Sequence, residues 1–276
     1  MCEFCHKHGE GKKWYLQAKN YSQDLQSDLR RRRTFDFQAL GRDMKKLAEL
    51  KKAPHFIRAI QEPRVSERVK NMHFGQVLPI EDVEQIFNIV NSVVRLECVC
   101  RKGRNTKEQR YCYGVSILPE AENLKEIVAE FGTGYSSGPD TSDLEKMDKE
   151  EVLDIFREYE KEGLCHTVWT SLTPFIVGIC NCDRADCGAM QATVVSETPI
   201  MFRAEYVAEL DSELCNGCRA CMRVCQFGAI GYSAGNKKAY IDIRRYYGCG
   251  ICRLSCTKDA IKLKDRSSVP AVANLW

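Results

Sequence analysis

The chain has 276 residues with 44% hydrophobic and 29% charged side chains, a formal net charge of +3 and sixteen cysteines. This composition is typical of a globular protein and excludes a disordered one, and no apolar run approaches the roughly 18 residues of a membrane span. The length allows two or three domains. Since the cysteine spacing is typical of metal ligands and no secretory signal is present, we expect a reducing, cytoplasmic setting.

Residues 1–75 are predicted to be a charged, helical N-terminal segment, with a helix over 37–52 that Pro54 ends. Its basic run at 30–33 favours a solvated helix face or contact with an acidic partner protein. No recognition motif accompanies the run, so we predict no nucleic-acid binding.

Cys2 and Cys5 open the chain in a C-x-x-C-H pattern. Covalent haem attachment at such a pattern takes place outside the cytosol, so it is not expected here. A zinc or cluster site that uses both thiols, with His6 or His8, is one interpretation. A terminus with two inert thiols is the other.

Residues 76–200 are predicted to form a mixed α/β module. Apolar periodicity predicts helices at 79–91, 120–131 and 148–161 and strands at 93–100, 165–171 and 175–180. The glycine-rich stretch at 132–139 has no strand-loop-lysine context, so a linker loop is expected rather than a phosphate site.

Six cysteines of this module form two patterned triplets, Cys98, Cys100, Cys112 and Cys180, Cys182, Cys187. Residues i and i+2 of a strand point to the same face, so each C-x-C pair at a predicted strand end presents two thiols together. We therefore predict a six-thiol basin. An iron–sulfur cluster is favoured there, a zinc site using four thiolates is an alternative, and buried inert cysteines are the other interpretation.

Residues 201–276 contain an internal repeat, in which Cys218, Cys221 and Cys225 recur 31 positions later as Cys249, Cys252 and Cys256. Cys215 completes C-x2-C-x2-C-x3-C in the first copy, whereas Tyr246 stands at the matching place in the second. This spacing is a ligand frame for iron–sulfur cubanes.

The segment 204–266 resembles bacterial two-cluster ferredoxins. The resemblance implies a pseudo-symmetric ferredoxin-like unit in an α+β protein, with one [4Fe–4S] cluster held by Cys215, Cys218, Cys221 and Cys256. It implies a second site at Cys225, Cys249 and Cys252, which lacks one cysteine. Gln226 and Thr257 replace the proline usual after the fourth cysteine.

The second site leaves several possibilities open. It could hold a [3Fe–4S] cluster on three thiolates, or a [4Fe–4S] cluster with a non-cysteine ligand or a cysteine from elsewhere in the chain. It could also be empty. A phenolate ligand from Tyr246 is a further, less favoured option.

Residues 76–266 also resemble ferredoxin-containing proteins of anaerobes, through Cys98-Val99-Cys100-Arg101, Cys112-Tyr113-Gly114 and Ile179-Cys180-Asn181-Cys182. We expect an electron-transfer subunit of an oxidoreductase complex, whose redox partner carries flavin, molybdenum or tungsten, or a corrinoid. The alternatives are a cluster enzyme with an open iron coordination site and a zinc-containing structural or assembly protein. No catalytic residues are predicted, because no acid–base pair stands out.

Overall fold

The computed structural model describes residues 13–16, 21, 42, 46, 49–50, 52–72, 75–98, 100–101, 109–119, 145–172 and 175–273. Within these ranges, no helix combines the length and the apolar character needed to cross a membrane. Cys2, Cys5, the basic run at 30–33, the predicted helix at 120–131 and the predicted loop at 132–139 lie outside the described residues. Of the predicted helix at 37–52, the described residues 42, 46, 49 and 50 are helical.

The larger layer is a six-stranded antiparallel sheet with the strand order β1-β5-β6-β3-β2-β4. The strands are β1 (Gly75–Leu78), β2 (Ser92–Leu96), β3 (Cys112–Ser116), β4 (Glu145–Met147), β5 (Cys165–Leu172) and β6 (Phe175–Cys182). Cys112 lies opposite Cys180, and Cys165 lies opposite Cys182. The antiparallel register therefore brings the cysteine-bearing ends of β3, β5 and β6 to the same end of the sheet.

Three longer helices accompany the sheet, namely α1 (His55–Met72), α2 (Ile80–Ile89) and α3 (Lys149–Glu162). α3 begins after Asp148, whose carboxylate accepts hydrogen bonds from the N–H groups of Glu150 at 2.8 Å and Glu151 at 3.2 Å, and it ends at Gly163 with φ of 88°. Its buried residues Val152 and Phe156 join α2 and one face of the sheet in a common core. The predicted helices at 79–91 and 148–161 are confirmed.

The C-terminal unit consists of two antiparallel strand pairs and two short helices. β7 (Tyr206–Leu210) pairs with β10 (Ile261–Asp265), and β8 (Ile230–Ser233) pairs with β9 (Lys238–Ile241). The helices are α5 (Ala220–Val224) and α6 (Ile251–Leu254), while α4 (Gly188–Met190), extended by a π-helical turn Gln191–Val195, precedes the unit. Gly217 and Gly248, which are also 31 positions apart, have φ of +72° and +84° and directly precede Cys218 and Cys249, which are equivalent in the repeat. A side chain at Gly217 would overlap the carbonyl of Lys237.

The C-terminal unit packs directly on the sheet. The N–H of Val77 in β1 donates to the carbonyl of Phe202 at 3.1 Å, and the N–H of Phe202 donates to the carbonyl of Gly75 at 2.7 Å. A second buried core continues across this junction and includes Cys165 and Met190 together with Tyr247 of the C-terminal unit.

Asp82 is a buried carboxylate that joins three distant segments. Its Oδ1 accepts hydrogen bonds from Lys13 and from the hydroxyl of Tyr206, each at 2.8 Å, and its Oδ2 accepts one from the hydroxyl of Tyr15 at 2.5 Å. The buried carboxylate of Asp82 thus has three hydrogen-bond donors, one of them charged. These bonds hold α2, strand β7 and the start of the described chain together.

Candidate metal centres

The first centre is a small cavity lined by Cys215, Cys218, Cys221 and Cys256. Cys215 and Cys218 lie on the loop that leads into α5, Cys221 lies in α5, and Cys256 follows α6. Burial, followed by the neighbouring thiols, raises the pKa of Cys221. The rest of the lining is Leu210, Asn216, Arg219, Ala239, Ser255 and Ile261. Four thiols around a mainly apolar cavity are the donor set that a [4Fe–4S] cluster requires.

A backbone donor accompanies the last cysteine of each repeat. The N–H of Ala229 donates to Cys225 Sγ, and the N–H of Ala260 donates to Cys256 Sγ, both at 3.3 Å. The two copies of the repeat thus make the same contact at equivalent positions. Donors to ligand sulfur stabilise the more reduced, more negative state of a cluster and so raise its potential.

The second centre contains Cys225, Cys249 and Cys252, with Tyr246 at the place of the missing cysteine. Tyr246 is buried and its hydroxyl lies 4.0 Å from Cys252 Sγ. Burial and the adjacent thiols raise the pKa of Tyr246 well above its ordinary value, which favours the neutral phenol.

Cys165 reaches this second centre from outside the C-terminal unit. It is the first residue of β5, it is fully buried, and its thiol lies next to that of Cys249. The neighbouring Cys165 thiol lowers the pKa of Cys249. The sequence pattern places Cys165 at the start of a predicted strand and does not reveal this proximity.

The third centre is formed by the two cysteine triplets. Cys98 and Cys112 have their Sγ atoms 3.3 Å apart, as do Cys182 and Cys187. Cys112 also lies opposite Cys180 in the sheet, and Cys100 lies against Gly188, the residue after Cys187. The structure thus brings all six thiols of the predicted basin together, although they come from four separate segments.

One premise of that prediction was wrong. The strand predicted at 93–100 ends at Leu96, so Cys98 and Cys100 do not share a strand face. The N–H of Cys98 instead donates to the carbonyl of Gln109 at 2.8 Å, and residues 100–101 are helical. By contrast, Cys180 and Cys182 lie on β6 as expected.

Backbone N–H groups and one arginine surround the basin. Cys98 Sγ accepts from the N–H of Tyr111 at 2.9 Å, and Cys100 accepts from the N–H groups of Gly188 and Ala189. The buried guanidinium of Arg101 pairs with Asp183 and lies close to Cys98, Cys182 and Cys187. The neighbouring thiol of Cys112, followed by burial, raises the pKa of Cys98. A multivalent metal would supply the positive charge that several thiolates need in such a site.

Beside the second centre lies a buried pair that sequence reasoning also missed. Burial raises the pKa of Glu160 to about 7 and lowers that of His166 to about 4. His166 Nδ1 hydrogen-bonds Asn181 Oδ1 at 2.6 Å, whereas its Nε2 lies 3.7 Å from Glu160 Oε1, too far for a hydrogen bond. No sequence signal links these residues, because they lie on α3 and β5.

Within the described ranges, no three cysteine, histidine or carboxylate side chains converge on one point suitable for a single metal ion. A structural zinc site requires four such ligands in a tetrahedron at about 2.0–2.3 Å from the ion.

Comparison with known proteins agrees with the geometry of the C-terminal unit. Residues 214–261 match the family model of the 4Fe-4S dicluster domain. Archaeal-type glutamate synthases [NADPH] of Thermotoga maritima and of Thermotoga sp. strain RQ2 are each 35% identical over 60 residues, or 22% of this chain and 12% of the relative. No solved structure matches the chain. The chain thus spans about an eighth of these curated relatives, and it contains a 4Fe-4S domain at residues 214–261 that holds at least one [4Fe–4S] cluster.

Proposed function

We propose that the chain is an iron–sulfur electron-transfer protein that serves as a subunit, or as the dedicated electron donor or acceptor, of an oxidoreductase complex. It would carry two clusters in the C-terminal unit and a further cluster in the six-thiol basin. Each cluster would supply reversible one-electron storage at a fixed position. The family match at 214–261 supports the first part of this proposal, and the thiol geometry supports the rest.

The observation that carries the relay is a row of neighbouring thiols. The thiol of Cys165 lies next to Cys249 of the second centre and close to Cys182 and Cys187 of the basin, and Cys165 is the strand partner of Cys182. The repeat in turn joins the second centre to the first, since Cys225 and Cys256 each close the cysteine run of one copy. Cys165 thus lies between the second centre and the basin, and the cysteine repeat links the second centre to the first.

Backbone donors and one charged side chain determine the electrostatic environment of these sites. The N–H groups of Ala229 and Ala260 point at ligand sulfur in the C-terminal unit, and Arg101 places positive charge against the basin. Cys218 is exposed, so the first centre has an edge at the protein surface where a partner could exchange electrons.

The partner that we propose is a redox protein carrying flavin, molybdenum or tungsten, or a corrinoid. The relatives that share a 60-residue segment with this chain are named as glutamate synthases that use NADPH, which are oxidoreductases. That likeness supports an oxidoreductase setting for the segment and does not select one partner.

The test is to purify the full chain without oxygen and to measure iron, acid-labile sulfide and zinc per polypeptide, followed by a reductive titration read by electron paramagnetic resonance (EPR). We expect about eleven or twelve irons with matching sulfide and one-electron steps. About eight irons together with zinc would show that the basin binds zinc and takes no part in electron transfer. About four irons would leave a single cluster and contradict the two-cluster unit.

A second candidate function is favoured by a polar cleft of about 560 Å³ beside the basin. Arg101, Tyr111 and Asp183 contribute to its wall, and Arg101 also contacts the basin thiols. A cluster there with an iron of open coordination could act on a small polar substrate. Cyanide or carbon monoxide added to the reduced protein tests this alternative. An altered cluster spectrum would favour an enzyme, and an unchanged one would favour electron transfer.

A further inference from the structure

The second centre of the C-terminal unit has three thiols where a cubane needs four ligands. Tyr246 occupies the fourth place, but its hydroxyl lies 4.0 Å from Cys252 Sγ and is buried among the three cysteines. A fourth thiol for this site would have to come from another element of the fold.

The segment 163–165 is held against this site by contacts that do not involve sulfur. Gln226, which directly follows Cys225, donates from Nε2 to the carbonyl of Gly163 at 2.7 Å. The backbone of Gly163 also packs on Val224, since a Cβ built at Gly163 would lie 3.7 Å from the Val224 carbonyl oxygen. The N–H of Leu164 donates to the carbonyl of Tyr159 at 2.8 Å, which fixes the chain as it enters β5.

The next residue is Cys165, and its position is determined on both sides. Strand pairing sets it opposite Cys182, and its fully buried thiol lies next to that of Cys249. It belongs to the same buried core as Cys249 and Cys252. A buried thiol beside three others supplies the donor type that iron–sulfur clusters use.

We propose that Cys165 is the fourth ligand of the second cluster, which is therefore a [4Fe–4S] cluster whose ligands come from both the sheet and the C-terminal unit. This rests on the proposed two-cluster function. Cluster binding would take the proton from the Cys165 thiol to solvent, leaving a thiolate on iron. Tyr246 then acts as a buried wall of the site and is not a ligand.

The experiment compares the anaerobically purified full chain with Cys165→Ala and Cys165→Ser, using iron analysis and EPR of both the oxidised and the dithionite-reduced protein. Tyr246→Phe is the matched control. Tyr246 stands where the ferredoxin pattern has a cysteine, and the variant removes its hydroxyl as a possible ligand while keeping the ring. The double variant Cys165→Ala with Tyr246→Cys tests rescue by the cysteine that the ferredoxin pattern has. Circular dichroism verifies the fold of each variant.

We expect the wild type and Tyr246→Phe to show no three-iron signal. Cys165→Ala should lose about one iron per chain and gain the spin-½ signal of an oxidised [3Fe–4S] cluster. The double variant should regain the iron and lose that signal. Cys165→Ser should keep the same iron content as the wild type and change the EPR spectrum of the reduced protein, which covers the case in which the alanine variant does not fold.

Two results would overturn the ligand assignment, namely a stoichiometric three-iron signal in the wild type or an unchanged spectrum in both Cys165 variants. Failure of the proposed function looks different, because a wild type with iron for a single cubane would have no second cluster to complete.

Discussion

The side-chain amide of Gln226 bridges the two halves of the molecule, donating from Nε2 to the carbonyl of Gly163 at 2.7 Å. Its Oε1 accepts from the N–H of Arg184 at 2.9 Å. Gly163 ends α3 and Arg184 follows β6, whereas Gln226 belongs to the first cysteine run. The position where ferredoxins usually carry proline thus serves here as an attachment point to the sheet.

Replacing Gln226 with alanine should weaken this attachment. Two backbone groups lose their partner, and an unsatisfied polar group costs about 1–3 kcal/mol, at the lower end where water has access. We expect a lower free energy of unfolding and faster amide exchange at Arg184. Thr257 is the matched control, because it lies 31 positions later in the repeat and is exposed. A Thr257→Ala variant as destabilised as Gln226→Ala would contradict the bridge.

Gly217→Ala should disrupt the first cysteine loop. Gly217 has φ of +72°, and an added Cβ would overlap the carbonyl of Lys237. The loop must shift, so we expect loss of about four irons per chain, because Cys215 and Cys218 of the first centre lie on it. Gly235→Ala is the control, since nothing lies within 4 Å of its added Cβ. Full iron content in Gly217→Ala would show that the loop tolerates the strain.

Cys112→Ala should lower the metal content of the upstream module and leave the C-terminal unit loaded. Cys112 touches both Cys98 and Cys180, so its removal interrupts one arm of the basin. Val115→Ala on the same strand is the control for lost packing, as Val115 is fully buried in the core between sheet and helices. The readout is iron and zinc per chain. Equal metal in Cys112→Ala and the wild type would show that the basin holds none.

Glu160→Gln should change how stability depends on pH. Burial raises the pKa of Glu160 to about 7, from 4.5 in the unfolded chain. The folded state therefore holds this proton more tightly, and the stability it contributes is complete below pH 4.5 and is lost as the pH rises through about 7. The variant should thus unfold at a higher temperature than the wild type at pH 8, by a free energy of at most about 3 kcal/mol.

That advantage should shrink steadily between pH 7 and pH 4.5, as followed by circular dichroism. His166, whose pKa burial lowers to about 4, has the opposite pH dependence, but it is present in both proteins and cancels in the difference. Glu158→Gln on the exposed side of α3 is the control. A pH-independent difference between Glu160→Gln and the wild type would refute a buried, proton-binding Glu160.

Local patterns predicted the local structure well. The predicted helix at 148–161 followed from the apolar spacing of residues such as Val152 and Phe156, which depends only on nearby residues. The cysteine repeat predicted a ferredoxin-like segment, because cluster spacing is encoded within a short loop. Strand β1 was not predicted, since all four of its residues are buried and no alternation marks it.

Contacts between distant segments could not be predicted in the same way. The grouping of Cys112 with Cys180 depends on the register of β3 and β6, and that of Cys165 with Cys249 depends on how the sheet docks on the C-terminal unit. The six-thiol basin was anticipated from patterned triplets even though one strand end was misplaced. The pair of Glu160 and His166 had no such pattern.

The carboxylate of Asp82 has a consequence for how the molecule comes apart. Lys13, Tyr15 and Tyr206 all bind it, so the start of the described chain, helix α2 and strand β7 share one buried carboxylate. If any of these three segments separates, Asp82 loses a hydrogen-bond donor. The three segments should therefore unfold together. Limited proteolysis should accordingly release no trimmed, folded C-terminal fragment, and calorimetry should record one melting transition in place of two.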